Sequence, residues 1–243
     1  MKIKSAIRAF ESILGDAILG ISTLGSRRGD YPEVKSAHDD SFWYESKSYY
    51  LNWLYLRPIR LAADDVVYDI GCGAGRLLFV AALHRVKRCV GLELSARLCE
   101  LARRNAANLR LPHPPIEIRQ ADASQEDYSE GTVFLMCNPF GARTLETVLA
   151  KIHASLETHP RTIRVMYIHP ECDHLALLAK CDWLEKTGEK TFPGAWGIPA
   201  HYFQAVHSLN FENPPKPPSY LKTIDNQGFF KINADLALLP ITP

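Results

Sequence analysis

Apolar positions along the chain fall into three regimes. Over the first two dozen residues Ile3, Ile7, Phe10, Leu14, Ile18, Ile21 and Leu24 recur at three- and four-residue spacing, which predicts an amphipathic helix with one apolar stripe. Arg8, Glu11 and Asp16 interrupt any continuous apolar run, so the segment reads neither as the core of a secretory leader nor as a membrane span. Gly15, Gly20 and Gly25 each weaken it as a free-standing helix by about 1 kcal/mol relative to Ala. It is therefore expected to need a surface to fold against: its own domain, a partner, or a membrane interface.

From Ser41 the pattern turns regular. A helix rich in Tyr and Trp is predicted over Glu45 to Leu56, and after it strand-like apolar runs fall at 65–70, 88–94, 115–120, 132–137 and 162–168. Helical segments fall between or after them, near 75–84, 96–110, 143–157 and 171–180. Strands alternating with helices predict a parallel sheet covered on both faces. "WLEKTGEKTF" and "HYFQAVHSL" follow, joined by a loop holding Pro193, Gly194, Gly197 and Pro199. That pair reads as an antiparallel hairpin closing the sheet. The fold class expected is α/β, a seven-stranded, mostly parallel, doubly wound sheet with a terminal antiparallel hairpin.

The third regime begins after Asn210, where "NPPKPPSY" opens a tail reaching Pro243. Its prolines favour extended polyproline geometry, as a linker, a surface strap or a docking motif. Three parts are thus expected: a helix and linker over 1–40, a globular domain over 41–210, and a proline-rich tail over 211–243.

Composition narrows the function. In the 243 residues, 28 Lys and Arg stand against 27 Asp and Glu, a formal net charge of +1, so no global field argues for nucleic acid or an anionic surface. The six cysteines are scattered without a CxxC pair, as expected of reduced thiols in a cytoplasmic protein.

The chemistry centres on "YDIGCGAGR", residues 68–76, which leaves the first strand and opens the next helix. In such sheets ligands sit outside the carboxyl ends of the strands, where strand order reverses. Gly71, Gly73 and Gly75 allow a sharp turn and close approach of a ligand. A dinucleotide fingerprint wants a small residue where Arg76 stands, and a Walker loop wants Gly-Lys-Ser/Thr at the helix start, which is missing from this loop. Phosphate is therefore not the guest this loop calls for. Asp69 precedes Gly71 by two residues and Glu93 ends the second strand. A carboxylate at the second position accepts both ribose hydroxyls of an adenosine, while Asp69 would repel a pyrophosphate and suits an ammonium group or an ordered water. Together they favour an adenosine carrying a cationic amino-acid tail.

At this point the sequence resembles the class I S-adenosylmethionine-dependent methyltransferases. "VVYDIGCGAGR" is similar to their first motif, "VGLELS" to the acidic ribose motif, "QADAS" to the adenine-flanking motif and "FLMCNPFG" to the fourth-strand motif, in family order and spacing over roughly residues 40–210. The resemblance implies a Rossmann-like fold with S-adenosyl-L-methionine as cofactor. It further implies Asp69, Gly71, Gly73 and Gly75 at the methionine end, Glu93 on the ribose and Asp122 near the adenine amino group. For the residues alone, Asp122 equally suits a cap of a helix or turn.

The acceptor is expected near "CNPFG". Asn138 and the carbonyl of Pro139 accept hydrogen bonds from an amino group, and Phe140 stacks on a flat acceptor. This partly resembles the Asn/Asp-Pro-Pro-aromatic motif of methyltransferases acting on amino or amide nitrogens, without its second proline. It is also similar to class I protein-lysine methyltransferases, whose loop carries asparagine and phenylalanine here. A turn at the strand end is the bland alternative. Two further stretches are weaker. "HPECDH" (His169, Glu171, Cys172, His174) fits no standard zinc spacing and reads as the start of a helix, so no metal is expected. In "FWYESKSYY", Tyr44, Tyr49 or Tyr50 either lids the cofactor or packs on the sheet.

Three readings follow. The first is a methyltransferase acting on an unidentified acceptor, a small molecule or a protein, with an amino nitrogen as one candidate. The second is a nucleotide-dependent oxidoreductase, against which Arg76 and the glycine spacing count. The third is a non-catalytic S-adenosylmethionine-binding sensor or scaffold.

Overall fold

The computed structural model describes residues 2–23, 41–42, 44–192 and 198–205. The linker from residue 24 to 40, Pro193, Gly194 and Gly197 of the hairpin loop, and the proline-rich tail lie outside the described residues. Thirteen main elements are labelled in chain order. They are α1 (Lys2–Leu19), α2 (Tyr49–Leu56), β1 (Val66–Ile70), α3 (Arg76–Ala82), β2 (Arg88–Glu93), α4 (Ala96–Asn108), β3 (Ile116–Gln120), β4 (Val133–Cys137), α5 (Ala142–Thr158), β5 (Arg164–Ile168), α6 (Cys172–Lys180), β6 (Leu184–Thr191) and β7 (Pro199–Ala205).

The strands form one sheet in the order 3-2-1-4-5-7-6. The first five pair in parallel, and β7 runs antiparallel to both β5 and β6, so the later hairpin strand is the inner one. This is the seven-stranded, doubly wound arrangement expected. Strand periodicity explains its two cores. Val67 of β1 and Leu135 of β4 point to one face, where α2, α3 and α4 pack, and Cys99 and Ala102 of α4 meet them. Tyr68 and Ile70 of β1 with Phe134 and Met136 of β4 point to the other, covered by α5 and α6 through Leu145, Val148, Ile152 and Leu178. Edge strand β6, "LEKTGEKT", is mostly exposed, and its charges suit an unpaired edge.

Two expectations about the N-terminal part are corrected. The aromatic helix begins at Tyr49, four residues after Glu45, because Ser48 caps it, its hydroxyl accepting from the Leu51 N–H at 3.3 Å. The second correction concerns which side of α1 is buried. Ser12, Asp16 and Leu19 are buried, whereas Phe10, Leu14 and Ile18 of the expected stripe are exposed. The helix docks on its own domain by its polar side, for a reason that lies with Arg76. That guanidinium, 3% exposed, donates to Thr23 Oγ1 at 2.5 Å, to Ser12 Oγ at 2.9 Å and to the carbonyl of Lys47 at 3.0 Å. It lies 3.5 Å from Asp16 Oδ1 and over the ring of Tyr49. Asp16 in turn accepts from the Thr23 N–H and hydroxyl, each at 2.7 Å, and from the Tyr49 hydroxyl. A buried cation must be paired and hydrogen-bonded, and α1 with the turn after it supplies what Arg76 needs.

Candidate functional site

The carboxyl ends of β1, β2 and β4 open onto one cavity at the point where strand order reverses on either side of β1, the expected ligand position in such a sheet. The loop after β1 is built by glycine geometry. Gly71, Gly73 and Gly75 have φ of 77°, 56° and 92°, values that L side chains avoid. The loop is tied to β2 by the N–H groups of Gly71 and Cys72, both donating to the carbonyl of Leu92 at 2.8 and 2.9 Å. Glu93, 7% exposed, fastens it further: Oε2 accepts from the Gly73 N–H and Oε1 from the Ser95 N–H, each at 2.9 Å. Glu93 also lines the cavity, so an acceptor-only carboxylate faces whatever is bound there.

The cavity collects most of the expected residues. Asp69, Gly71, Glu93 and Asp122 line it, as do Asn138, Pro139 and Phe140. Gly73 and Gly75 shape it from behind: a Cβ on Gly73 would lie 2.2 Å from the ring of Tyr44, and one on Gly75 2.5 Å from that of Phe79. Of the three tyrosines considered as a lid, Tyr44 lines the cavity, Tyr49 is buried in the Arg76 cluster, and Tyr50 stacks on Trp53. Asp122 caps the short 3-10 turn Ala123–Gln125, accepting from the Ser124 N–H at 2.9 Å, while also facing the cavity.

The β4 loop places Asn138 at φ 47°, a left-handed conformation that Asn tolerates better than most residues. Its Oδ1 is buried without a hydrogen-bond partner among the described residues. The carbonyl of Pro139 accepts from the Phe42 N–H at 3.2 Å, so one of its two lone pairs is already engaged. Phe140 is 6% exposed, packs into the α5 and α6 core, and forms an antiparallel bridge with Ser41. Residues 41–42 thereby close one side of the cavity. In "HPECDH", His174 is buried and its Nδ1 accepts from the Glu171 N–H at 3.2 Å, which completes the helix start.

Two functional contributors escape sequence reasoning. Arg76, noted only as a misfit to dinucleotide loops, joins α3 to α1. Asn105 of α4 clamps the N-terminal segment to the glycine loop: its Nδ2 donates to the carbonyls of Ser22 and Ala74 at 2.9 and 3.0 Å, and its Oδ1 accepts from the Ser22 N–H at 2.9 Å. A lone Asn inside a helix carries no local signal for such a role; only the 83-residue separation of its partners, once folded, reveals it.

The site's electrostatics favour a cation. Asp69 is 2% exposed and its Oδ2 has no hydrogen-bond partner among the described residues. Burial pushes its carboxyl up to about 7, against a hydrogen bond from the Leu78 N–H and with help from the nearby Glu93 charge. The sign follows. A cationic ligand binds the ionised form, so its affinity should rise with pH through about 7 by up to about tenfold per pH unit below that value. Stability of the ligand-free protein runs the other way, since the folded carboxyl resists ionisation: this contribution is complete below the unfolded carboxylate value and is lost as pH rises through about 7. Titration calorimetry with S-adenosylmethionine at pH 6 to 8 checks the first trend, and Asp69→Asn should flatten it; an affinity already level in the wild type would refute the assignment.

Comparison with known proteins bears on the family and the fold. The profile of a family described as a methyltransferase domain matches residues 67–159. The chain is 26% identical over 193 residues to a histone-lysine N-methyltransferase, H3 lysine-79 specific, of Dictyostelium discoideum, covering 72% of this chain and 10% of that protein. A 41-residue stretch is 44% identical to a protein-lysine N-methyltransferase of Saccharolobus islandicus, covering 16% of this chain and 26% of that protein. Each alignment therefore reaches only a minor part of the relative's length. Among solved structures the fold is similar to that of TrmN from Thermus thermophilus, with a TM-score of 0.54 and 18% identity, covering 73% of this chain and 52% of that one.

Proposed function

We propose that this chain, which carries a methyltransferase domain match over residues 67–159, is a class I S-adenosylmethionine-dependent methyltransferase that transfers the methyl group to the side-chain amine of a lysine in a protein. The observation that carries the reading is the Oδ1 of Asn138, buried on the cavity wall with no hydrogen-bond partner among the described residues. The two relatives whose names specify a protein lysine add support.

S-adenosylmethionine fits the cavity's residues: the carboxylate oxygen of Asp69 that has no partner among the described residues suits a cationic amino-acid tail, and the Glu93 carboxylate on the cavity wall suits ribose hydroxyls. When bound, it supplies a methyl on a sulfonium that leaves as a neutral thioether, so no general acid is needed. What remains for the protein is orientation, exclusion of water, and selection of the neutral amine, whose proton passes to solvent before the nitrogen attacks the methyl and the carbon–sulfur bond breaks. Asn138 Oδ1 is suited to accept an N–H of the incoming amine and thereby to aim its lone pair. An uncharged acceptor serves this better than a carboxylate, which would favour the unreactive ammonium form. The β4 loop and residues 41–42 form a wall beside it, where a lysine's methylene stem loses water favourably.

The test is incubation with S-adenosylmethionine labelled in its methyl group and four acceptor pools: intact proteins, proteins with acetylated lysines, small amines, and RNA. The expected label enters intact proteins, is blocked by acetylation and is recovered as methyl-lysine after hydrolysis. Label confined to RNA or to small amines would refute the reading. Asn138→Ala should lower kcat by about 10- to 100-fold, the range of a hydrogen bond worth roughly 1.5–3 kcal/mol, while S-adenosylmethionine affinity stays within about twofold.

A further inference from the structure

Among the described residues, the exposed large hydrophobic side chains all lie on α1: Phe10 at 67%, Ile13 at 55%, Leu14 at 48% and Ile18 at 45% exposure. Their spacing, with exposed Ala17 between them, is that of one helix face. It is the side turned away from the buried Ser12, Asp16 and Leu19. The helix is held by its polar side through Arg76, so its apolar side is left for something else. The sequence continues the stripe at Ile3 and Ile7.

Charge selects the occupant. The helix carries three cations, Lys2, Lys4 and Arg8, and two acids, Glu11 and Asp16. Both acids are committed inward: Glu11 Oε1 accepts the Tyr50 N–H at 2.8 Å, and Asp16 is bound to Thr23, Tyr49 and Arg76. At the opposite end, exposed Arg110 lies against Gly20 with its guanidinium 3.5 Å from the carbonyl of Ala17. By sequence Lys2, Lys4 and Arg8 fall in the first half of the helix, and exposed Arg110 stands beside its last turn, so cations occur toward both ends of a helix whose carboxylates are turned inward. Four side chains about half exposed present on the order of 400 Å², the scale of a functional patch. That is about half of the roughly 800 Å² per partner that a standard protein interface buries. An apolar helical face with basic ends is the pattern of a helix lying in a lipid interface. No helix among the described residues is long and apolar enough to cross a membrane.

We propose that α1 docks this protein onto a membrane surface bearing anionic lipids, lying in the headgroup plane with Phe10, Ile13, Leu14 and Ile18 inserted. Co-sedimentation of the full chain with vesicles tests it, comparing phosphatidylcholine alone with phosphatidylcholine containing phosphatidylserine, at low and high salt. Binding should be at least about tenfold tighter to the anionic vesicles and weaken with salt. The double variant Phe10→Ser, Leu14→Ser should lose at least about tenfold while its melting temperature stays unchanged, since neither side chain is buried against the domain. Equal binding to both vesicle types, no binding to either, or undiminished binding by the variant would overturn the proposal. So would a dimer in light scattering that the variant dissolves without any vesicle binding, because a second copy would then be the occupant.

Discussion

Asp16→Ala should lower the protein's unfolding free energy by about 3–5 kcal/mol, the range seen when one partner of a buried, hydrogen-bonded charge pair is removed. The loss is large because Arg76 stays behind, 3% exposed, in a pocket shaped for a carboxylate, while the N–H of Thr23 and the hydroxyl of Tyr49 lose an acceptor. For a domain of this size that is a fall in melting temperature of roughly 10 °C. Urea unfolding monitored through the tryptophans measures it directly. A loss below about 1 kcal/mol would mean that water or another group replaces Asp16. The double replacement Asp16→Leu, Arg76→Leu is the discriminating control: with both charges gone no ion is left buried, so much of the stability should return, whereas a purely steric role for α1 would leave it as low as the single variant. Arg76 is also the first residue of α3, directly after the glycine loop, so S-adenosylmethionine affinity should fall together with stability in Asp16→Ala.

That cluster marks the boundary of what the sequence reveals. The alternation of strands and helices was legible because the inner strands β1, β2, β4 and β5 are buried over nearly their whole length and read as largely apolar runs. The glycine loop of the candidate site was legible because its constraints are local: glycines with positive φ next to a strand end, and a carboxylate at the end of the next strand tied to them. The orientation of α1 was not, since periodicity reports that a helix has two faces and not which one is buried. Ordinarily the apolar face wins; here a guanidinium 60 residues away in sequence recruits the polar one. The start of α2 lies later than its side chains predict for a related reason. Residues 45–47 have helix-compatible side chains, but Lys47 offers its carbonyl to Arg76 and Ser48 caps the helix after it. Phe140 shows a third kind of limit. An aromatic at a strand end serves ligand stacking and core packing equally well in sequence, and only the packing of α5 behind it reveals how much of the ring is committed to the core.

Gly73→Ala should reduce S-adenosylmethionine affinity by at least about thirtyfold while leaving the protein folded. Two costs combine. The residue sits at φ 56°, where a Cβ costs about 1–2 kcal/mol. That Cβ would also fall 2.2 and 2.3 Å from two ring carbons of Tyr44, an overpacking of the kind that costs about 1–3 kcal/mol. The ring has little freedom to yield, because its hydroxyl donates to the carbonyl of Thr23 at 2.9 Å. The loop must move instead, and its movement draws the Gly73 N–H off Glu93 Oε2, disturbing the carboxylate suited to ribose. A double-mutant cycle separates the two costs. Tyr44→Ala in the Gly73→Ala background should recover about 1–3 kcal/mol of binding, the steric share, and leave the backbone share in place. Additive effects would show that the ring and the loop do not communicate, and an unchanged affinity in Gly73→Ala alone would remove this loop from the cofactor site.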